Sequence, residues 1–183
     1  WLKDRGVSIE EIAELVMLLQ KDYIEGLDMK DCVRSVERVL AKREVQNALL
    51  TGIQLDVLAE ERKLMSPLQE IIEHDEGLYG CDEILSLSIT NVYGSIGLTN
   101  FGYIDKIKPG VLKRLNSKDD GQIHTFLDDI VGAIAAAARC RAAGSWRTRT
   151  PNAGLISGTW PTISIRPVCT AFPGQTIIRS IIR

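Results

Sequence analysis

Helical periodicity with clear start signals is the feature that most constrains how this chain folds. Ser8 and Glu11 have the spacing of a capping box, in which each side chain bonds to the backbone of the other residue. The apolar residues that follow recur every three or four positions, as on the buried face of an amphipathic helix; they are Ile9, Ile12, Leu15, Val16 and Leu19. Together these signals predict a first helix over residues 8–22.

Similar signals recur further along the chain. Asp28 is of a residue type that caps helices, and Pro67 stands where proline is favoured, at a first helical position. Including the first, six helices are predicted, over residues 8–22, 28–40, 41–63, 66–77, 81–92 and 125–143. The glycine-rich stretch from Gly94 to Gly110 is expected to form only short pieces. Because strand signals are nearly absent before residue 144, the sequence predicts an all-α, single-domain bundle of about six helices.

The last predicted helix is unusually rich in small residues. After Asp128 and Asp129 it carries a glycine and a series of alanines over residues 132–138. Small side chains allow neighbouring helices to approach closely. We therefore expect this alanine-rich helix to occupy the centre of the bundle.

Charge divides the chain into two regions. All 24 acidic residues and 15 of the 22 basic residues lie at or before Asp129, which gives that part a net charge of −9, whereas the last 54 residues carry seven Arg and no acid. We predict an all-α domain over residues 1–143 and an atypical basic tail over residues 144–183. The tail has two interpretations: a segment that contacts anionic lipid at a membrane surface, or non-native sequence added by cloning or read out of frame.

Composition narrows the class of protein further. With 45% hydrophobic and 25% charged residues, the chain is typical of a globular protein. The longest apolar run has nine residues, from Ile130 to Ala138. A membrane span needs ~20. The four cysteines form no CxxC pair, which argues against a zinc site or a disulfide scaffold. We expect a cytoplasmic protein without a nucleic-acid partner, with self-association and peripheral membrane contact left open.

Acidic residues stand at the starts of two predicted buried helices. Asp82 and Glu83 open one helix, Asp128 and Asp129 open the alanine-rich helix, and Asp105 follows Gly102 in the glycine-rich stretch. One interpretation is that these acids complement helix dipoles. The other is that they are oxygen ligands for Mg²⁺, since carboxylates that converge either raise their pKa values or bind a cation.

Three further residues have two interpretations each. Lys108, one helical turn after Asp105, is either a solvated lysine or a group that neutralises a substrate phosphate. Asp56 lies on an apolar stripe, so it requires a partner, either in the core or behind the metal site. His124 is interpreted as a solvent-exposed residue at a helix start rather than as a ligand or proton shuttle.

Three motifs follow one another between Cys81 and Ala135. They are the pair Asp82-Glu83, the segment Asp105-Lys106-Ile107-Lys108-Pro109, and the pair Asp128-Asp129 followed by Gly132 and Ala133. Their order resembles the phosphatidylglycerophosphatase A family, whose members are Mg²⁺-dependent phosphatases of a phospholipid precursor. The chain lacks the GT-x-GS segment and the spanning helices of the family's membrane-embedded members, so it resembles a soluble branch found in Gram-positive bacteria.

The resemblance implies a function and a set of site residues. It implies Mg²⁺-dependent hydrolysis of a phosphomonoester such as phosphatidylglycerophosphate. The implied metal ligands are Asp82, Glu83, Asp128 and Asp129, and the implied catalytic residues are Asp105, Lys108 and Asp129. Two alternatives stay open: a non-catalytic helical interaction or regulatory protein that kept the scaffold, and a nucleotide-hydrolysing enzyme.

Overall fold

The computed structural model describes residues 1–117 and 121–146, with side chains described up to residue 138. This part of the chain contains a short 3-10 helix, eight α-helices and no strand, which confirms the all-α prediction. The α-helices are α1 (Ile9–Gln20), α2 (Met29–Leu40), α3 (Arg43–Glu60), α4 (Leu68–His74), α5 (Cys81–Asn91), α6 (Ser95–Ile107), α7 (Val111–Leu115) and α8 (Leu127–Trp146).

Two of the predicted start signals act as helix caps, whereas Pro67 lies one residue before α4 rather than at its first position. The backbone N–H of Glu11 donates to Ser8 Oγ at 3.2 Å, and the N–H of Ser8 donates to Glu11 Oε2 at 2.9 Å, which completes the capping box of α1. Asp28 Oδ1 accepts the N–H of Lys30 at the start of α2. Local signals therefore decide where these two helices begin.

The glycine-rich stretch forms more helix than the sequence predicts. Gly94 and Gly110, with φ of 80° and 56°, lie just before α6 and α7, where the backbone turns. The two glycines inside α6 do not break it, because Phe101 and Ile104 on its inner side are buried against α8. Tertiary packing overrides the low helix propensity of glycine here.

Helix α8 lies at the centre of the bundle, as its alanine content predicts. It packs against α1, α2, α3, α5, α6 and α7, and every residue from Phe126 to Ala138 is buried. On the facing side of α3, a Cβ atom at Gly52 would overlap Ile130 Cδ1. The absence of a side chain at Gly52 thus permits the close contact of α3 with Ile130 on α8.

Two further predictions concern membrane-spanning helices and the basic tail. Among the described residues, no helix is long and apolar enough to cross a membrane. Residues 147–183, most of the predicted basic tail, lie outside the described residues. The division into a domain over 1–143 and a tail therefore stays a prediction.

Candidate metal and phosphate site

Three helix ends that are distant in sequence meet at one end of α8. Asp82 and Glu83 lie in the first turn of α5, and Asp128 and Asp129 in the first turn of α8. The segment from Asp105 to Lys108 ends α6. Because α5 and α6 both pack against α8 and against each other, the three sequence motifs form one site.

Three carboxylates form a compact group within this site. One oxygen each from Asp82, Glu83 and Asp129 lies within 4.8 Å of the other two. Asp82 and Asp129 are buried, and Glu83 Oε2 is a buried atom without a hydrogen-bond partner among the residues that the structure describes. Buried carboxylate oxygens without donors fit a hard divalent cation, which takes oxygen ligands. This donor set therefore fits Mg²⁺.

Lys108 connects the remaining carboxylates to this group. Its Nζ donates to Asp128 Oδ2 at 2.7 Å and lies 3.0 Å from Asp105 Oδ1 and 3.7 Å from Asp129 Oδ1. The residue ends α6 with a φ of 37°, a left-handed conformation that is uncommon for a residue with a side chain. The Lys108 side chain as a whole is 30% exposed.

Burial and mutual repulsion shift the ionisation of these groups. Burial raises the pKa of Asp129 to about 8, and the neighbouring charge of Asp128 adds to the effect. Burial likewise raises the pKa of Asp82 to about 7, reinforced by its contact with Glu83. For Lys108, burial opposes the charged form, but the charges of Asp128 and Asp129 outweigh it and hold the pKa above its usual range. Asp82 and Asp129 thus favour the neutral, protonated form unless a cation offsets their charge.

Asp56 holds the start of α8 in place. Its Oδ1 accepts the N–H of Phe126 and its Oδ2 accepts the N–H of Leu127, both at 3.1 Å. Asp56 is fully buried, and burial raises its pKa to about 8 despite these two bonds. The prediction that this residue has a buried partner is confirmed, and the partner is the backbone that precedes Asp128 and Asp129.

Arg5, near the beginning of the sequence, and Glu60 also contact the segment that precedes α8. Arg5 donates to both carboxylate oxygens of Glu60, at 2.9 and 2.7 Å, and to the carbonyl of Ile123 at 2.6 Å. Glu60 Oε1 also accepts the N–H of Ile123 at 2.7 Å. His124 is partly buried, with Nδ1 3.2 Å from Arg5, rather than turned to solvent.

Sequence reasoning missed the pairing of Arg5 with Glu60. The two residues are separated by 55 positions, and neither belongs to a local motif. An arginine just before the first capping box is the only hint that the sequence offers.

A cleft of about 340 Å³ has one residue of the site, Asp128, in its wall. Asp128 and Thr125 form part of its wall on the side of α8, and Asp75 and Arg62 line it elsewhere. Arg62 is paired with Glu73 at 3.0 Å. The cleft gives a group of modest size access to Asp128.

The predicted site residues are thus brought together, but in two subsets. Asp82, Glu83 and Asp129 form the close carboxylate group, whereas Asp105 and Asp128 pair with Lys108. Asp129 belongs to both subsets. The metal-ligand and catalytic roles of these residues stay predictions.

These features define an all-α protein in which Lys108 pairs with members of a partly buried group of carboxylates. A model of the phosphatidylglycerophosphatase A family matches residues 5–143. The chain belongs to this family, as the three motifs predict. Family membership suggests a phosphatase.

Relatives from Bacillus subtilis strain 168 match most of the chain. Uncharacterized protein YutG is 65% identical over 142 residues, which are 78% of this chain and 86% of YutG. Uncharacterized protein YpjQ is 58% identical over 142 residues, 78% of this chain and 80% of YpjQ. Both names leave the activity of the relative unassigned.

Solved structures have the same fold. The low temperature requirement C protein from Listeria monocytogenes superposes with a TM-score of 0.78 at 65% identity, covering 80% of this chain and 92% of that one. A protein of unknown function from Bacillus stearothermophilus also gives 0.78 at 65% identity, covering 79% and 90%.

Proposed function

We propose that this protein is a Mg²⁺-dependent phosphatase that hydrolyses a phosphomonoester such as phosphatidylglycerophosphate. The observation that carries the proposal is the close group of Asp82, Glu83 and Asp129 next to the Lys108 ammonium. A phosphoryl group needs positive charge on its oxygens as the ester bond breaks. Here Lys108 would supply one positive charge, and Asp82, Glu83 and Asp129 would be the ligands of a second cation.

Asp82, Glu83 and Asp129 would hold Mg²⁺, with Asp128 as the further ligand that the family motif implies. When bound, Mg²⁺ would polarise the phosphoryl oxygens and offset the negative charge that develops on them. The unpartnered Glu83 Oε2 supports this assignment, because a buried oxygen without a donor is costly unless a cation satisfies it.

Lys108, whose Nζ lies 3.7 Å from Asp129 Oδ1, would bind a phosphate oxygen next to the metal ligands. Asp105 and Asp128 hold its Nζ at 3.0 and 2.7 Å, so the ammonium is positioned before substrate arrives. Preorganised charge of this kind stabilises the transition state without a reorganisation cost. Asp105, the less buried of these carboxylates, is our candidate for orienting the water that attacks phosphorus and for accepting its proton.

Phosphate release from a panel of substrates tests the proposal. The full chain is incubated with phosphatidylglycerophosphate in mixed micelles and with soluble phosphomonoesters, each with millimolar Mg²⁺ and each with excess EDTA. We expect phosphate release with Mg²⁺ and loss of at least 100-fold with EDTA, because the carboxylates alone would repel an anionic substrate. Absence of release from every substrate, or release that EDTA leaves unchanged, would contradict the proposal.

A further inference from the structure

We propose that two copies of this chain associate through the outward side of α5 and α6. This surface, called the α5–α6 face below, consists of six exposed apolar side chains on or next to the two helices: Ile84, Val92, Ile96, Leu98, Tyr103 and Ile107. The two helices pack against each other and against α8, so their exposed sides point away from the core. The proposal does not depend on the proposed function.

Most of the α5–α6 face is free of charge, since Asp105 and Lys106 precede only its last member, Ile107. From Ile84 to Ile104 the sequence has no Asp, Glu, Lys, Arg or His, although a quarter of the whole chain, 25%, is charged. Surface helices normally carry charged residues on their solvent side. Depletion of charge together with an exposed tyrosine distinguishes the core of a protein interface from ordinary surface.

The area of this face matches what a stable dimer requires. Its six side chains are 44–67% exposed. For residues of this size, these fractions sum to roughly 600 Å² of exposed area, compared with the ~800 Å² that each partner of a standard interface buries. Ser88, Thr99 and Gly102 are exposed on the same helices, and they would add uncharged area between the apolar side chains.

A second copy suits this face better than a lipid surface does. Helices that lie on membranes combine an apolar side with lysine and arginine along its border, whereas the border here offers Lys106 and Lys108 at one end only. In a two-fold dimer the same patch meets itself. Because the face carries no charged residue from Ile84 to Ile104, pairing this part with its own copy brings no like charges together.

The location of the face gives the association a structural consequence. Ile84 directly follows Glu83, and Tyr103 and Ile107 lie on either side of Asp105. The α5–α6 face therefore begins at the rim of the carboxylate cluster. A partner bound there would shield the rim from solvent on that side.

The molar mass of the full chain in solution tests this proposal. Light scattering after size-exclusion chromatography would compare the wild type with Ile96→Glu and Tyr103→Glu, each of which places a charge in the face. Met65→Glu is the matched control, because Met65 is 85% exposed and lies between α3 and α4, outside the face. We expect twice the chain mass of 20.3 kDa for the wild type and the control. For the two face variants we expect the mass of a single chain.

Thr99→Lys places a charge in the face and removes no apolar side chain. It therefore tests the face if a glutamate variant fails to fold. Circular dichroism verifies the folding of each protein. A wild type at 20.3 kDa throughout the micromolar range, or folded face variants that keep the mass of the dimer, would overturn the proposal. A monomeric wild type that sediments with phosphatidylglycerol vesicles, when Ile96→Glu does not, would assign the face to lipid and equally overturn it.

Discussion

Asp129 is the residue shared by the two halves of the site. Its carboxylate belongs to the close group with Asp82 and Glu83, and it also lies 3.7 Å from Lys108 Nζ. Its pKa of about 8 results first from burial and then from the charge of Asp128. A bound divalent cation would offset this unfavourable burial of negative charge, and a proton does so in its absence.

The raised pKa values make metal binding depend on pH. Asp82 and Asp129, with pKa values of about 7 and about 8, are largely protonated at pH 6, and a cation has to displace these protons. We therefore expect the increase in Tm caused by millimolar Mg²⁺ to be small at pH 6 and to grow up to pH 9. Differential scanning calorimetry at fixed Mg²⁺ concentration measures this increase.

The metal-free protein supplies the control for the same prediction. Because both carboxyls have a higher pKa in the folded than in the unfolded chain, they favour folding most below pH ~4, and that contribution is lost as pH rises through 7 and 8. As pH rises, the stability of the metal-free protein is thus expected to fall, whereas the increase in Tm caused by Mg²⁺ is expected to grow. An increase in Tm with Mg²⁺ that is equal at pH 6 and pH 9 would show that these carboxyls do not bind the ion.

The residues of the site could be predicted from sequence better than their pairings could. Acids at helix starts and the three ordered motifs were sufficient to select Asp82, Glu83, Asp105, Lys108, Asp128 and Asp129. Sequence could not show that Lys108 pairs with Asp128 at 2.7 Å and lies farther from Asp129, because adjacent residues of one helix point in different directions. The contact of Arg5 with Glu60 was equally hidden, since it depends on how α3 packs.

At the level of elements, helix starts with a local signal were predictable and helices that depend on packing were not. Ser8 and Asp28 mark α1 and α2 because each side chain bonds nearby backbone. Helix α8 differs, because Asp56 on α3 bonds the N–H groups at its start. Such a cap from another helix leaves no pattern in the neighbouring sequence.

The close contact between α3 and α8 leads to a prediction about stability. In Gly52→Ala the new Cβ would overlap Ile130 Cδ1 and lie 3.0 Å from Phe126 Cβ, so the helices have to separate. We expect the free energy of unfolding to fall by about 1–3 kcal/mol, the usual cost of overpacking. Urea denaturation followed by circular dichroism measures the change.

Gly132→Ala is the matched control on the central helix. A Cβ at Gly132 would have its nearest neighbours at 3.6–3.7 Å, which are ordinary contacts, and alanine favours the helix by up to ~1 kcal/mol over glycine. We expect its free energy of unfolding to equal or exceed that of the wild type. Equal stability of Gly52→Ala and Gly132→Ala would contradict the close contact of α3 with α8.

For the whole molecule, the distribution of charge connects the fold to the proposed chemistry. The formal net charge of −2 conceals a net charge of −9 up to Asp129, and five of those acids converge where α5, α6 and α8 meet. A phosphomonoester is itself an anion, so this region would repel it in the absence of added positive charge. Lys108 and a bound Mg²⁺ would supply that charge at the place where the phosphate has to bind.

The rate of Mg²⁺-dependent phosphate release by Asp129→Asn tests the central claim most directly. The variant removes one charge from the carboxylate group and keeps the size of the side chain. Asp31→Asn makes the same change in the first turn of α2, outside the site. With phosphatidylglycerophosphate as substrate, we predict that Asp129→Asn lowers kcat/KM at least 100-fold while Asp31→Asn stays within a few-fold of the wild type. Equal rates for Asp129→Asn and the wild type would contradict the account.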